Sequence, residues 1–385
     1  MSYSALIKQA AIDGAFGQDN IENILLDNEK QKNFQLASNL FFVKLYMNGE
    51  VKSVVVKTQP DHRVSSEATF RDCLFVNEVC FYSKLLPYLS NIDKNVLKLF
   101  PNFIYGCATI GQDPTKDCVI LNDINQLGYY SSKLGKQLDI EHITLVMKRL
   151  GKFHALSYKA KKDNLSEFKG LLSNLVNDMS TMEEFIGAAL YSVPKCYKGS
   201  TDNYRFKRLE ELCCKDPIKT YQLSIEPKEP NAVLCHGDLC SNNILFYYIN
   251  EQPQDIVLLD TQRCKYASPA VDLSFFLLYN TTEYTKKHWD YFLQIYYESL
   301  INSYDDIVVP GFSEFMQDFI EHITYGIATC SYFFRVSSLP KHELQEFLTL
   351  EKDDKTKIIG SLGDDQGARL IHEMIELLIS KNYIN

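Results

Sequence analysis

Residues that interrupt regular structure are scarce in this sequence: 17 glycines and 12 prolines among 385 residues, below the average shares of about 7% and 5%. Long helices are therefore expected rather than a loop-rich architecture. Basic charge is also short, with 40 Lys+Arg against 49 Asp+Glu and a net charge of −9. Nucleic-acid binding needs a concentrated basic surface, so that class of partner is not expected. No apolar run reaches the roughly 18 residues of a membrane-spanning helix. The opening Met1-Ser-Tyr-Ser-Ala-Leu-Ile-Lys8 is too polar for a secretory signal. Cys-x-x-Cys is absent, and no histidines show metal-ligand spacing, which argues against zinc chemistry. A Gly-x-Ser-x-Gly elbow is missing too, so a hydrolase of that type has no support. Internal repeats and low-complexity linkers are not found.

What is present describes an ordinary globular protein, with 45% apolar and 23% charged residues. The length allows two to three units of ~100–200 residues with a real core. The 11 cysteines are an odd, scattered set with one adjacent pair, Cys213 and Cys214. They read as reduced thiols of a cytoplasmic protein rather than a disulfide framework.

The clearest strand signal is early. Leu40–Met47 and Val51–Thr58 flank Asn48-Gly49, the favoured type I′ turn, because both central residues need positive φ. Lys57 shares a strand face with Val51, Ser53 and Val55 by the period of two. A helical stripe, Leu74, Phe75, Phe81, Tyr82 and Leu85, is expected to end before Pro87. Glu78 falls inside that stripe, where it either meets a buried cation or escapes to solvent at the edge; the pattern leaves both open. Short apolar runs at 100–105 and 118–124 read as strands. Beyond residue 140 the pattern turns helical, at 143–157, 289–300, 315–336 and 368–379. A β-rich first third and a helical remainder, interrupted at 231–262, predict an α+β fold in two lobes.

The interruption carries the chemistry. His236, Gly237 and Asp238 stand between two apolar runs, Asn243 immediately precedes a strand-like run, and Asp260 ends another. Carboxylate and amide oxygens at strand ends beside a glycine turn suit a hard cation such as Mg²⁺, which keeps waters and substrate phosphates in its other positions. Any one of the three is more simply a turn or cap residue. All three together, behind a His-Gly-Asp opening, point to a site.

His236-Gly-Asp-Leu-x-x-Asn-Asn243 resembles the catalytic loop of phosphotransferases related to choline and aminoglycoside kinases, and most closely that of the ecdysteroid kinase-like family with its CHK-type kinase domain. Asn77-Glu-Val-Cys-Phe-Tyr82, Val119–Ile124 with Gly128-Tyr129, Lys152-Phe-His-Ala-Leu-Ser157 and Ser268-Pro-Ala-Val-Asp-Leu273 are similar to further family elements in the same order. The resemblance runs from about Phe34 to Leu278. It implies a two-lobed protein-kinase-like fold, an N-lobe at 1–123 and a C-lobe at 124–385 forming one catalytic domain.

The implied activity is ATP- and Mg²⁺-dependent phosphorylation of a small alcohol, an ecdysteroid-like steroid or a hydrophobic xenobiotic. In the implied roles, Lys57 holds the α/β-phosphates of ATP and Glu78 fixes Lys57. Asp238 accepts the proton of the acceptor hydroxyl, and Asn243 and Asp260 hold Mg²⁺. Backbone groups of Leu121, Asn122, Asp123 and Ile124 meet adenine, and Ser38 offers phosphate a polar contact. Asp272 anchors the catalytic loop, His236 supports it, and His154 is a core histidine. Membrane insertion and an obligate protein partner are not expected.

The sequence departs from the family at Asp260-Thr261, where Asp-Phe is common, at Asn122 in place of a hinge Glu, and in a glycine-free segment from Asn33 to Phe41. Thr261 and the glycine-free segment support the alternative of a weak or inactive nucleotide-binding module, whereas the intact Lys57, Glu78, Asp238, Asn243 and Asp260 oppose it, and the change at Asn122 is tolerable at a position whose backbone does the work. A protein kinase is disfavoured by His-Gly-Asp in place of His-Arg-Asp and by the eight residues between Asp260 and Pro269, too few for a peptide-docking segment. The aromatic cluster Tyr325, Tyr332, Phe333 and Phe334 is either helical core or an acceptor pocket, and core is the more common use of such spacing.

Overall fold

The computed structural model describes every residue except 29–37, 61–66, 136, 177–179, 200–203, 362–365 and 385. Through residue 132 the chain forms α1 (Tyr3–Ile12), β1 (Ile21–Leu26), β2 (Asn39–Met47), β3 (Glu50–Thr58), α2 (Ala68–Cys80), α3 (Leu86–Ile92), β4 (Phe103–Cys107), β5 (Cys118–Asn122) and β6 (Tyr129–Tyr130). Then come α4 (Ile140–Leu172), α5 (Ser180–Tyr191), α6 (Tyr204–Cys214) and α7 (Pro217–Ile225). The stretch expected to carry chemistry supplies β7 (Val233–Cys235), β8 (Ile244–Ile249), β9 (Gln252–Leu258) and β10 (Lys265–Ala267). Helices α8 (Ala270–Tyr279), α9 (Trp289–Ile301), α10 (Phe312–His322), α11 (Thr324–Val336), α12 (Lys341–Thr349), α13 (Lys352–Gly360) and α14 (Gln366–Ser380) follow.

Contacts group the chain into two units. The first contains residues 1–132, 163–178 and 243–264; the second contains 133–162, 179–242 and 265–385. The sequence reading drew its division at 123/124. The β8–β9 segment groups with the first unit because β6 pairs with β8, Tyr129 opposite Tyr247.

In the first unit an antiparallel five-stranded sheet has the order β1-β2-β3-β5-β4, beside a three-stranded sheet β6-β8-β9. The Asn48-Gly49 hairpin forms as expected, with Met47 opposite Glu50 and positive φ at both turn residues, 49° and 79°. Strand alternation sends Val43, Leu45, Met47, Val54 and Val56 to one face, where Ile7 and Ala10 of α1 pack on them. Lys57 is therefore directed to the opposite face. Helix α2 does not simply stop before Pro87. It passes into a π-helical turn at Phe81–Leu85, and Pro87 sits in the first turn of α3, where its missing N–H costs nothing.

In the second unit β7 and β10 form an antiparallel pair among helices. The helical stretch expected at 315–336 is two helices that meet at Ile323. Every residue of helix α8 is buried, and all but Asp272 and Ser274 are apolar, which marks it as a central helix of its unit.

Candidate functional site

Within the first unit, β3, α2 and the turn after β9 converge on one ammonium. Lys57 Nζ donates to Glu78 Oε2 at 2.6 Å, to Asp260 Oδ1 at 2.6 Å and to Gln262 Oε1 at 2.9 Å. The side chains of Lys57 and Glu78 are 7% and 2% exposed, whereas Asp260 keeps 20%. Glu78 thus meets a buried cation and does not escape to the edge of its stripe. Burial alone would push the Lys57 amine down; Asp260 and Glu78 outweigh it and hold it well above its ordinary value. Burial pushes the Glu78 carboxyl up to about 7, against Lys57, with the Asp260 charge adding to the rise.

Asp260 occupies the left-handed region, φ 65°, at the head of the helical turn Thr261–Arg263. An L-residue there is strained, although Asp tolerates it better than most. Helix α2 packs on this turn. Thr261 is fully buried, and its hydroxyl has no hydrogen-bond partner among the described residues. Asn243 is a near neighbour of Asp260 through the β8–β9 pairing, because its carbonyl accepts from Leu259 N at 2.8 Å. Gln262 was not singled out from sequence. Its only signal is a polar side chain two residues beyond Asp260, a pattern that turns show everywhere.

The segment at 121–124, expected from sequence to meet adenine, lies in the same unit. Leu121 and Asn122 pair with Val55 and Val54, Asp123 N donates to Ser53 O, and Asn122 N donates to Asn102 O. The Asn122 side chain accepts from Asn102 N. Ile124 opens a short turn that Asp123 caps and Gly128, φ 84°, closes. The N–H groups of Asn122 and Asp123 are thus committed to backbone carbonyls of the same unit. A cavity of about 440 Å³ touches Asn122 and Asp123 but is otherwise lined by Ala15, Phe16, Val51–Val54, Ile104, Gln126 and Leu127. None of Lys57, Glu78, Asn243 or Asp260 lines it. Ser38 is buried just ahead of β2, at the hairpin end where Leu40 faces Lys57. The rest of the glycine-free segment, at 33–37, lies outside the described residues.

In the second unit the His236-Gly237-Asp238 loop is held by its backbone. Asp272, in the first turn of α8, accepts from His236 N and Gly237 N, both at 2.7 Å, and meets His154 Nε2 at 3.1 Å. His154 is fully buried and its Nδ1 pairs with Tyr296 OH at 2.8 Å. Burial would raise the Asp272 carboxyl, but His154, His236 and the Gly237 amide hold it below the ordinary value. His236 Nδ1 accepts from Asp238 N at 3.3 Å, a loop-supporting bond. Asp238 itself is buried. Gly237 has φ 79°, a conformation that favours glycine.

Tyr325 OH donates to Gly237 O at 2.7 Å, a contact the aromatic spacing did not announce. The rest of that cluster is used for packing: Tyr332 stacks on Phe185, Phe333 on Phe275 and Phe334 on Tyr279. His154, Cys235 and Asp272 place ligand-type atoms within 4.8 Å of one another. Their atoms are already used, the Cys235 thiol by Ser268 O, and burial pushes that thiol up, so the trio is hydrogen-bonded core.

A choline kinase from Cryptosporidium parvum Iowa II aligns over 99% of this chain and 98% of its own at 13% identity, with a TM-score of 0.51. That similarity defines the class: an α+β, protein-kinase-like fold. An aminoglycoside 2′-phosphotransferase IIIa with GDP aligns over 98% and 99% at 13% identity, TM-score 0.49. A Plasmodium vivax ethanolamine kinase aligns over 94% and 84% at 12% identity, TM-score 0.45. No curated protein matches by sequence. The profile of the ecdysteroid kinase-like family matches residues 33–308, and the chain belongs to that family. No helix among the described residues is long and apolar enough to cross a membrane.

Proposed function

We propose that this chain transfers a phosphoryl group from ATP, with Mg²⁺, to a hydroxyl of a small hydrophobic alcohol such as an ecdysteroid-like steroid or a foreign compound. Family membership and the kinase-like fold support a small-molecule phosphotransferase; nucleotide, metal and acceptor are our reading of the residues. The observation that carries it is the buried ammonium of Lys57 between Glu78 and Asp260. One carboxylate would satisfy a structural lysine. A second, partly exposed and held on a strained backbone, costs stability and is accounted for by a role.

The donor set fits a hard cation. Asp260 supplies a carboxylate with access to solvent, and Asn243, its neighbour through the β8–β9 ladder, supplies amide oxygen. Bound there, Mg²⁺ would neutralise charge on phosphate oxygens. Lys57 would hold phosphate oxygens, with Glu78 fixing its position. Asp238 would accept the proton of the acceptor hydroxyl and orient its oxygen, on a loop that Asp272 keeps in one conformation. The cytoplasm is the compartment we propose.

The direct test is ATP consumption with a panel of steroid and xenobiotic alcohols, wild type against Asp238→Asn. We expect turnover with at least one alcohol, and a loss of about 10²-fold or more in the variant, the usual worth of a general base. Undiminished activity in Asp238→Asn would remove the assigned base.

A further inference from the structure

The ammonium of Lys57 has three donors, and all three are used: by Glu78, by Asp260 and by Gln262. A phosphate oxygen can therefore take a full hydrogen bond from Lys57 only if one of these is given up. Glu78 and Asp260 are carboxylates at 2.6 Å, whereas Gln262 is a neutral amide at 2.9 Å. Bonds between opposite charges are the shorter and stronger kind, so the amide is the partner to yield. The same side chain makes a second bond: Gln262 Nε2 donates to Asp260 Oδ2 at 3.1 Å. One rotation of Gln262 thus frees a donor on Lys57 and an acceptor oxygen on Asp260 together.

We propose that Gln262 is a positioning residue that competes with the phosphate oxygens of a nucleotide for Lys57, and so sets nucleotide affinity. The proposal rests on the phosphotransferase reading above. Gln262 is 4% exposed, which leaves the amide few other partners and makes the bridge its main anchor. Its carbonyl oxygen stands where an anionic oxygen would bind, and its NH₂ donates to the carboxylate oxygen that a cation would seek.

The test is calorimetric titration of the full chain with ADP in the presence of a chelator, and with adenosine as the ligand lacking phosphate. Gln262→Met keeps the side-chain volume and removes both bonds; it should bind ADP about three- to tenfold more tightly, with adenosine unchanged. Gln262→Glu adds a charge that Lys57 holds harder, and should bind ADP more weakly. If the Met variant does not fold, Gln262→Asn, too short to bridge both groups, should show the same tightening. ADP affinity that stays the same or falls on removal of the bridge overturns the proposal, as does an equal gain for adenosine. Lys57→Met separates the two levels. If wild type binds ADP and Lys57→Met does not, the reading beneath stands whatever Gln262 does. If wild type binds no ADP, both fall.

Discussion

Lys57, Glu78 and Asp260 carry one positive and two negative formal charges in a largely buried cluster, and burial makes the surplus anion costly. The cost falls on Glu78, whose carboxyl burial raises to about 7 with help from Asp260 and against Lys57. The folded chain therefore takes up a proton at Glu78 well above the pH at which an unfolded chain would. A raised carboxyl contributes stability that is fully present below the unfolded value of about 4.3 and is lost as pH rises through 7. Gln at this position mimics the protonated acid at every pH. Wild type should thus melt close to Glu78→Gln at pH 5 and fall progressively below it towards pH 8. Wild type gaining on the variant as pH rises would instead show a carboxyl lowered by its ion pair. Lys57 does not disturb the comparison, because its raised amine stays charged throughout this range.

At the scale of elements, helix α8 matters through a single first-turn residue. Asp272 accepts two backbone N–H bonds from the His236–Gly237 loop, in a position where a helix also favours negative charge. Its carboxyl is held below the ordinary value. Its contribution is therefore present above about pH 4 and is lost as pH falls through the lowered value. Asp272→Asn should cost about 2–4 kcal/mol in urea unfolding at pH 7 and flatten the acid limb of the stability profile. An unchanged urea midpoint would contradict the anchoring role. How much of this was legible depended on how local each signal is. The β2–β3 hairpin and Lys57's face followed from alternation and Asn48-Gly49, which are properties of neighbours in sequence. Glu78 stood out as a charge on an apolar stripe, but its partner is 21 residues away in sequence and Asp260 is 203 away from Lys57. Gln262 was invisible as a site residue, and Tyr325 was read only as core or acceptor pocket, its bond to Gly237 unforeseen, because a buried glutamine in a turn and a tyrosine in a helix show their use only once the chain has closed on itself. The break at Ile323 and the π-turn at Phe81–Leu85 were missed because the apolar pattern continues through both.

At the scale of the whole molecule, neither unit is a continuous piece of chain. The first unit takes residues 163–178 and 243–264 from beyond its N-terminal stretch. These segments carry specific bonds: Asn77 exchanges two hydrogen bonds with Val176, and Tyr129 and Tyr130 pair with β8. The Asp260 partner of Lys57 comes from the same distant stretch, so a fragment ending at residue 132 would bury Lys57 with one carboxylate fewer. Helix α1 and strand β1 precede the family match at 33–308, yet α1 places Ile7 and Ala10 in the sheet core, so the N-terminal stretch is not dispensable either. Local signals alone would give residues 1–132 a five-stranded sheet with a helix on one face. The bonds lost with 163–178 and 243–264 lie on α2, on β6 and on Lys57, whose side chain points to the sheet face opposite α1. Residues 1–132 expressed alone should therefore show no cooperative thermal transition by circular dichroism, whereas the full chain should. A sharp transition in the fragment would mean that the sheet and α1 suffice, and that the distant segments only add the site to a core already complete.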